Sequence, residues 1–173
     1  MLAFINKTVG LNMNNIIVFC ASYLYLFVIV GICVGWLKTT KNLRVQFIVA
    51  TIIAGAIALI LSRIASKLYY DPRPFVTHHV KPLIAHAADN GFPSDHALLT
   101  GTLTAITFFY SKKIAVGMLV LTAAIGIARV LAKIHSPLDI GAGWVLGVIG
   151  AVVSYYLVTW YWSNKLKPSK KTT

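Results

Sequence analysis

Apolar residues in this chain come in runs about as long as a bilayer is thick, and that patterning constrains the fold more than any other feature. Five segments approach the requirement of about 20 apolar residues for a membrane span. They cover approximately residues 16–37, 45–65, 97–111, 114–132 and 138–162. The third is short and has to borrow the turn around Asp95 and His96. Hydrophobic residues make up 58% of the chain and charged residues 12%, against roughly a quarter charged in soluble proteins. With a mean hydropathy of +0.77, no small aqueous core could bury these runs. The expected fold class is all-α, a polytopic membrane helical bundle of about five transmembrane helices. No linker or internal repeat divides the sequence, so residues 1–173 are expected to form a single integral membrane domain.

The first run is longer than the apolar core of a signal peptide, is preceded only by Lys7, and lacks a clear small-residue cleavage site. It is expected to stay as a helix. Residues 1–15 read as a short interfacial lead-in, and 163–173 as a basic tail. The net charge of +12 comes from Lys and Arg scattered between apolar runs, which is not the stripe that a nucleic-acid surface needs. No nucleic-acid partner is expected; loops beside anionic membrane lipids explain the charge. Cys20 and Cys33 both fall in the first run and give no disulfide framework.

Of the 16 cations, nine have no acidic partner or motif around them: Lys38, Lys41, Arg44, Lys112, Lys113, Lys165, Lys167, Lys170 and Lys171. The positive-inside rule places these in the cytoplasm, with the C-terminus, and the amino terminus outside. The long loop 66–96 and the short turn 133–138 then share the outer surface.

Those two connections hold nearly all the titratable chemistry. There is no glutamate, and the four acids are Asp71, Asp89, Asp95 and Asp139. The five histidines, His78, His79, His86, His96 and His135, lie in the same window. In Arg129-x5-His135-x3-Asp139 the His and Asp are four apart, a separation that puts two side chains on one helix face. A carboxylate on one ring nitrogen leaves the other free to attack or to bind metal. Ser136-Pro137-Leu138-Asp139 is equally a helix capping box, and Arg129 equally a snorkelling helix-end residue. In Pro93-Ser94-Asp95-His96, Ser94 has the character of an N-cap, and the free amides after it would make an anion-binding mouth facing His96. His96 could otherwise be an interfacial polar residue. In Lys67-x5-Arg73-Pro74, prolines on both sides stiffen Arg73, whose fork of donors suits phosphate oxygens. The plainer alternative is an exposed turn in which Asp71 neutralises Arg73.

These three segments, in this order, resemble the tripartite signature of the type 2 phosphatidic acid phosphatase superfamily of lipid phosphatases and vanadium haloperoxidases. That signature is approximately K-x6-R-P, P-S-G-H and S-R-x5-H-x3-D, and the likeness covers about residues 67–139. Lys67 sits one residue too close to Arg73, with Ser66 in the usual place; Asp95 replaces the usual Gly, and Ala128 the usual Ser. His86-Ala87-Ala88-Asp89-Asn90-Gly91-Phe92 before the second motif, and Asp71-Pro72-Arg73-Pro74-Phe75 in the first, look like the bacitracin-resistance branch of undecaprenyl-pyrophosphate phosphatases.

The resemblance implies a covalent route. His135 would attack phosphorus to form a phosphohistidine, Asp139 would orient it, and His96 would protonate the leaving oxygen and then activate water. Arg73, Arg129, Ser94 and Lys67 would hold the phosphoryl oxygens. It implies hydrolysis of a polyprenyl diphosphate on the outer face of a bacterial cytoplasmic membrane, recycling the carrier lipid for wall synthesis and conferring bacitracin resistance. A phosphatase for phosphatidic acid or phosphatidylglycerol phosphate is the alternative within the class. A non-catalytic lipid-phosphate binding or transport protein is the alternative outside it. No cofactor or metal is expected: the few acids are committed elsewhere, and His78, His79 and His86 match no standard zinc spacing.

Overall fold

The structure, a computed structural model, describes residues 12–165. The described residues fold into helices and connecting loops with no strand. In chain order the elements are α1 (Met13–Tyr23), α2 (Tyr25–Lys38), a 3-10 turn (Lys41–Leu43), α3 (Arg44–Leu68), the single turn α4 (Pro74–Thr77), α5 (Asp95–Tyr110), α6 (Lys112–Leu131) and α7 (Pro137–Lys165). Three helical stretches, Lys41–Leu68, Lys112–Leu131 and Pro137–Lys165, are long and apolar enough to cross a membrane. The first apolar run is not one straight helix: α1 and α2 are bent by 44° at Leu24 and qualify together as a broken span. At 16 residues, α5 reaches only about 24 Å at 1.5 Å per residue, the shortfall its sequence predicts. The lead-in and basic tail expected at the two ends lie largely outside the described residues.

Side-chain size sorts inside from outside. Ala50, Ala54, Ala58, Ala97 and Ala151 are buried. Large apolar residues such as Ile52, Ile60, Val120 and Trp160 point outward at 60–68% exposure. A membrane bundle has this pattern because lipid solvates the large residues, while small ones let backbones approach closely enough for dispersion to hold them.

The long helix α7 is the central post. One of its faces meets α3 where Gly150 abuts the Ala54 carbonyl and Ser154 Oγ donates to the Ala50 carbonyl at 2.6 Å. The other meets α5 through Gly143 and Gly147, against the backbone of Ser94, Leu98 and Thr102. The glycines matter here because of close approach. A Cβ at Gly147 would lie 2.7 Å from the Thr102 nitrogen and 2.9 Å from the Leu98 oxygen. Those atoms belong to a helix backbone and cannot yield singly.

Gly147→Ala is therefore expected to lower the thermal midpoint in detergent, with a cost of about 1–3 kcal/mol from overpacking. Gly117→Ala, whose added Cβ meets nothing within 4 Å, should be neutral or slightly stabilising. Circular-dichroism melts of the two variants check this.

Candidate active site

The R-x5-H-x3-D spacing has a local structural cause. Helix α6 ends in a Schellman turn, in which the Lys133 amide donates to the Val130 carbonyl (2.9 Å) and the Ile134 amide to the Arg129 carbonyl (3.4 Å). Lys133 takes the left-handed conformation at φ 61°. Two residues after this turn ends, α7 begins with a reciprocal capping box. The Ser136 amide donates to Asp139 Oδ2 (2.8 Å), and the Asp139 amide to Ser136 Oγ (3.1 Å). His135 lies between the two helices, so its pairing with Asp139 does not come from one helix face. The capping box swings the carboxylate back to the imidazole, and Asp139 Oδ2 reaches His135 Nδ1 at 3.2 Å. Capping and histidine orientation are thus both done by one oxygen.

The other edge of the ring faces two guanidinium groups. Arg129 Nη2 lies 3.3 Å and Arg73 Nη1 3.4 Å from His135 Nε2. Guanidinium can only donate and carboxylate only accept, so Nδ1 carries the proton and Nε2 presents its lone pair. Burial lowers the His135 pKa below its usual 6.5, and the Arg129 and Arg73 charges push the same way against the Asp139 hydrogen bond. The imidazole is held neutral, with its nucleophilic nitrogen turned toward positive charge.

Arg73 is delivered across 62 residues by the loop after α3. Three successive carbonyls of the turn receive donors from that loop: Ala132 from the Leu83 amide (3.2 Å), Lys133 from the Phe75 amide (3.1 Å), and Ile134 from Arg73 Nη1 (2.9 Å). Arg73 Nε is paired with Asp89 at 2.7 Å, which holds that carboxyl below the usual range. Asp71 does not neutralise Arg73. It accepts from Ser136 Oγ at 2.8 Å and braces the capping box from outside.

The second motif is fixed by backbone contact. The Ser94 amide donates to the Asp139 carbonyl at 3.1 Å, which docks the start of α5 on the start of α7. Ser94 occupies the N-cap position, but its hydroxyl makes no capping bond and is fully buried. Its Oγ, Arg129 Nε and Asp139 Oδ1 are three buried polar atoms without a hydrogen-bond partner. Buried orphans of this kind are uncommon, and their concentration in one place is characteristic of a functional site.

A cavity of roughly 380 Å³ opens over this constellation. Arg73, Arg129, His96 and His135 line it, so both sequence-nominated histidines address one space. His96, half-buried, is held edge-on by Tyr25 at 5.2 Å between ring centres. Lys67 does not line this cavity. It lines an adjoining hollow with Leu59, Ile60, Ile64 and Arg63, of which only Arg63 also lines the cavity, because one residue of register on a helix turns a side chain through about 100°.

The motif reading gave no role to several lining residues, four of which bear on the site. Arg63, one helical turn before Lys67, reaches the cavity in its place. His86 stands in the loop wall, 6.4 Å from His135 between ring centres; partial burial and then the Arg73 and Arg129 charges lower its pKa below 6.5. Asp89 clamps Arg73. Asn90 is a hub, donating to the Ser66 and Tyr69 carbonyls and accepting from the Asp71 and Phe92 amides at 3.0–3.1 Å. Only Asn90 had a local signal, the Asn-Gly turn dipeptide. Among the described residues no group of three or more His, Cys, Asp or Glu side chains is placed to hold a metal ion. The cavity's positive charge comes from arginine.

Comparison with known proteins places this geometry in a family. The PAP2 superfamily model matches residues 43–163. A Bacillus licheniformis protein named bacitracin transport permease protein BcrC is 40% identical over 146 residues, covering 83% of this chain and 71% of that one. The undecaprenyl-diphosphatase BcrC of Bacillus subtilis is 29% identical over 137 residues, covering 79% and 70%. A crystal structure of a PAP2 type phosphatidylglycerolphosphate phosphatase from Bacillus subtilis superposes with a TM-score of 0.59 at 16% identity, over 91% of this chain and 80% of that one. That last likeness is one of fold.

Gly91 bears directly on the histidine pair. A Cβ there would lie 2.9 Å from Asp139 Oδ2 and 3.3 Å from the Asp71 carbonyl. Gly91→Ala should displace the carboxylate from His135 and lower kcat about a hundredfold, the low end of what a positioned acid–base group contributes, with little change in the melting midpoint. Phosphate release and a thermal melt on the same preparation check both halves.

Proposed function

Because the chain belongs to the PAP2 superfamily, we propose that it hydrolyses the terminal phosphate of undecaprenyl diphosphate by way of a phosphohistidine. The observation that carries this is the His135 imidazole. Its Nδ1 is locked on Asp139, and its Nε2 is faced only by donors, inside a cavity shared with His96.

A terminal phosphoryl group in the cavity takes the guanidinium donors that now face Nε2, which puts phosphorus in front of the lone pair. Nε2 bonds to phosphorus, the bond to the bridging oxygen breaks, and its electron pair leaves with the lipid monophosphate. Asp139 stabilises the imidazolium character that develops. His96 donates a proton to the leaving oxygen where one is needed, then takes one from the water that hydrolyses the phosphohistidine. Arg73 and Arg129, with the amides at the start of α5, neutralise charge on the three equatorial oxygens. Ser94 fixes those amides through its main chain, whose amide bonds the Asp139 carbonyl, and its unpartnered hydroxyl is left available. Positioning and charge supply the catalysis, with no metal or cofactor assigned.

Topology follows the same reading. The bent α1–α2 pair, α3, the short α5, α6 and α7 give five spans in one domain, with the cavity on the outer side of a bacterial cytoplasmic membrane and the C-terminus in the cytoplasm. The nine cations with no acid or motif around them in the sequence support that orientation. Recycling of the carrier lipid supports wall synthesis, and competition for the diphosphate that bacitracin sequesters accounts for resistance. The word permease in one relative's name raises transport as a second reading. A transport path calls for polar groups near mid-membrane, whereas the buried threonines here mostly bond within their own helix, as Thr102 does to Leu98 and Thr107 to Leu103. The charged groups collect at the helix ends.

Rapid quenching with labelled polyprenyl diphosphate should trap an acid-labile, base-stable phosphoenzyme in the parent protein and none in His135→Ala; an unlabelled parent would sink the covalent route. Since the neutral imidazole attacks, activity should persist above the His135 pKa and fall as pH drops through it. The acid limb of the kcat/KM profile for label incorporation is therefore expected below pH 6.5, the ordinary imidazole value.

A further inference from the structure

A diphosphate brings two phosphoryl groups, and the residues around His135 account for only one. Arg73 and Arg129 both point at His135 Nε2 and donate as well to the Ile134 and Ala21 carbonyls and to Asp89, so most of their capacity is held at that ring and only Arg129 Nε is buried without a partner. The third arginine on the cavity wall is Arg63. Among the described residues it has no ion pair and no side-chain hydrogen bond, and it is exposed.

Its position is specific in a second way. An apolar groove between α3 and α5, roughly 390 Å³ and walled by Ala58, Leu59, Leu98 and Leu103, runs down from the catalytic cavity. The two spaces share only Arg63 and Asp95. A lipid diphosphate whose terminal phosphate sits at His135 and whose tail lies in apolar surroundings must place its lipid-attached phosphate where polar cavity gives way to apolar groove. That is where Arg63 stands.

We propose that Arg63 is the specificity-determining residue that binds the retained, lipid-attached phosphate, and so selects diphosphates over monoesters. The inference rests on the phosphatase reading above and deepens it. When the His135 Nε2–P bond forms, the P–O bond to the bridging oxygen breaks and its electron pair stays on the retained phosphate, which becomes more negative. A guanidinium beside that group binds the transition state more tightly than the ground state, so the effect appears in kcat as well as KM. A lipid monoester releases an alkoxide and offers Arg63 no phosphate. Arg63 thereby supplies, one turn deeper on α3, the cation that the shifted Lys67 cannot bring to the cavity.

The test holds the tail constant and changes only the retained phosphate. Phosphate release from farnesyl diphosphate and from farnesyl monophosphate is measured with the parent, Arg63→Gln and Arg63→Lys proteins in detergent. The ratio of kcat/KM, diphosphate over monophosphate, should fall tenfold to a hundredfold in Arg63→Gln, the range for a lost charge-assisted hydrogen bond. Arg63→Lys, which keeps charge without the fork, should recover part of it. An unchanged ratio in a folded Arg63→Gln protein, including equal losses on both substrates, overturns the inference and leaves the phosphatase reading standing. A parent protein that cleaves the monophosphate but not the diphosphate overturns the substrate reading itself, and the inference with it.

Discussion

The carbonyls at the C-terminal end of α6 have to be satisfied, and the site is assembled in satisfying them. An apolar helix that ends near a bilayer surface leaves its last carbonyls without intrahelical donors, and burial makes each one costly. Here the Schellman turn satisfies part of the set, and the loop after α3 satisfies the carbonyls of residues 132 to 134 in succession. The last of those donors is the guanidinium of Arg73. A structural requirement of the backbone therefore delivers a charged group to His135, and the loop cannot detach without exposing the turn that carries the histidine.

Close packing of small residues sets the second coordinate. Gly143 and Gly147 let the start of α5 lie against α7, which permits the Ser94 amide to bond the Asp139 carbonyl. Asp139 is then held by its side chain in the capping box and by its main chain on α5. A carboxylate fixed from both directions cannot follow a wandering imidazole, so the imidazole is fixed as well.

The cavity lining carries three arginines, Arg63, Arg73 and Arg129, against two carboxylates, Asp89 and Asp95. Two guanidinium groups face one neutral ring, and of the acids near them Asp89 compensates Arg73 from an exposed position while Asp139 serves His135. Clustering like charge with polar atoms unpartnered costs stability, as substrate sites commonly do. In the proposed reaction an anionic phosphoryl group resolves the imbalance, so that phosphate binding and poise for catalysis would come from the same arrangement. In the proposed binding mode the apolar groove adjoining the cavity takes the lipid tail without moving it into water.

By itself the sequence determined the helical membrane class, from runs too long and apolar for any aqueous core, and the nearness of His135 to Asp139, while Arg129 and Arg73 joined them only through the resemblance to a known signature. Those features are legible because they depend on composition and on short spacings that a turn and a capping box convert into distance. The reason first attached to the histidine–aspartate pair, a shared helix face, was the wrong one, since a four-residue gap looks the same across an N-cap as along a helix. Only the tertiary structure decided that Asp89 and not Asp71 partners Arg73, that Asn90 ties three segments together, and that Arg63 rather than Lys67 reaches the cavity. Those outcomes depend on which face of α3 turns inward and on how a 26-residue connection between α3 and α5 folds back, and helix rotation and loop closure leave no periodic trace in a chain.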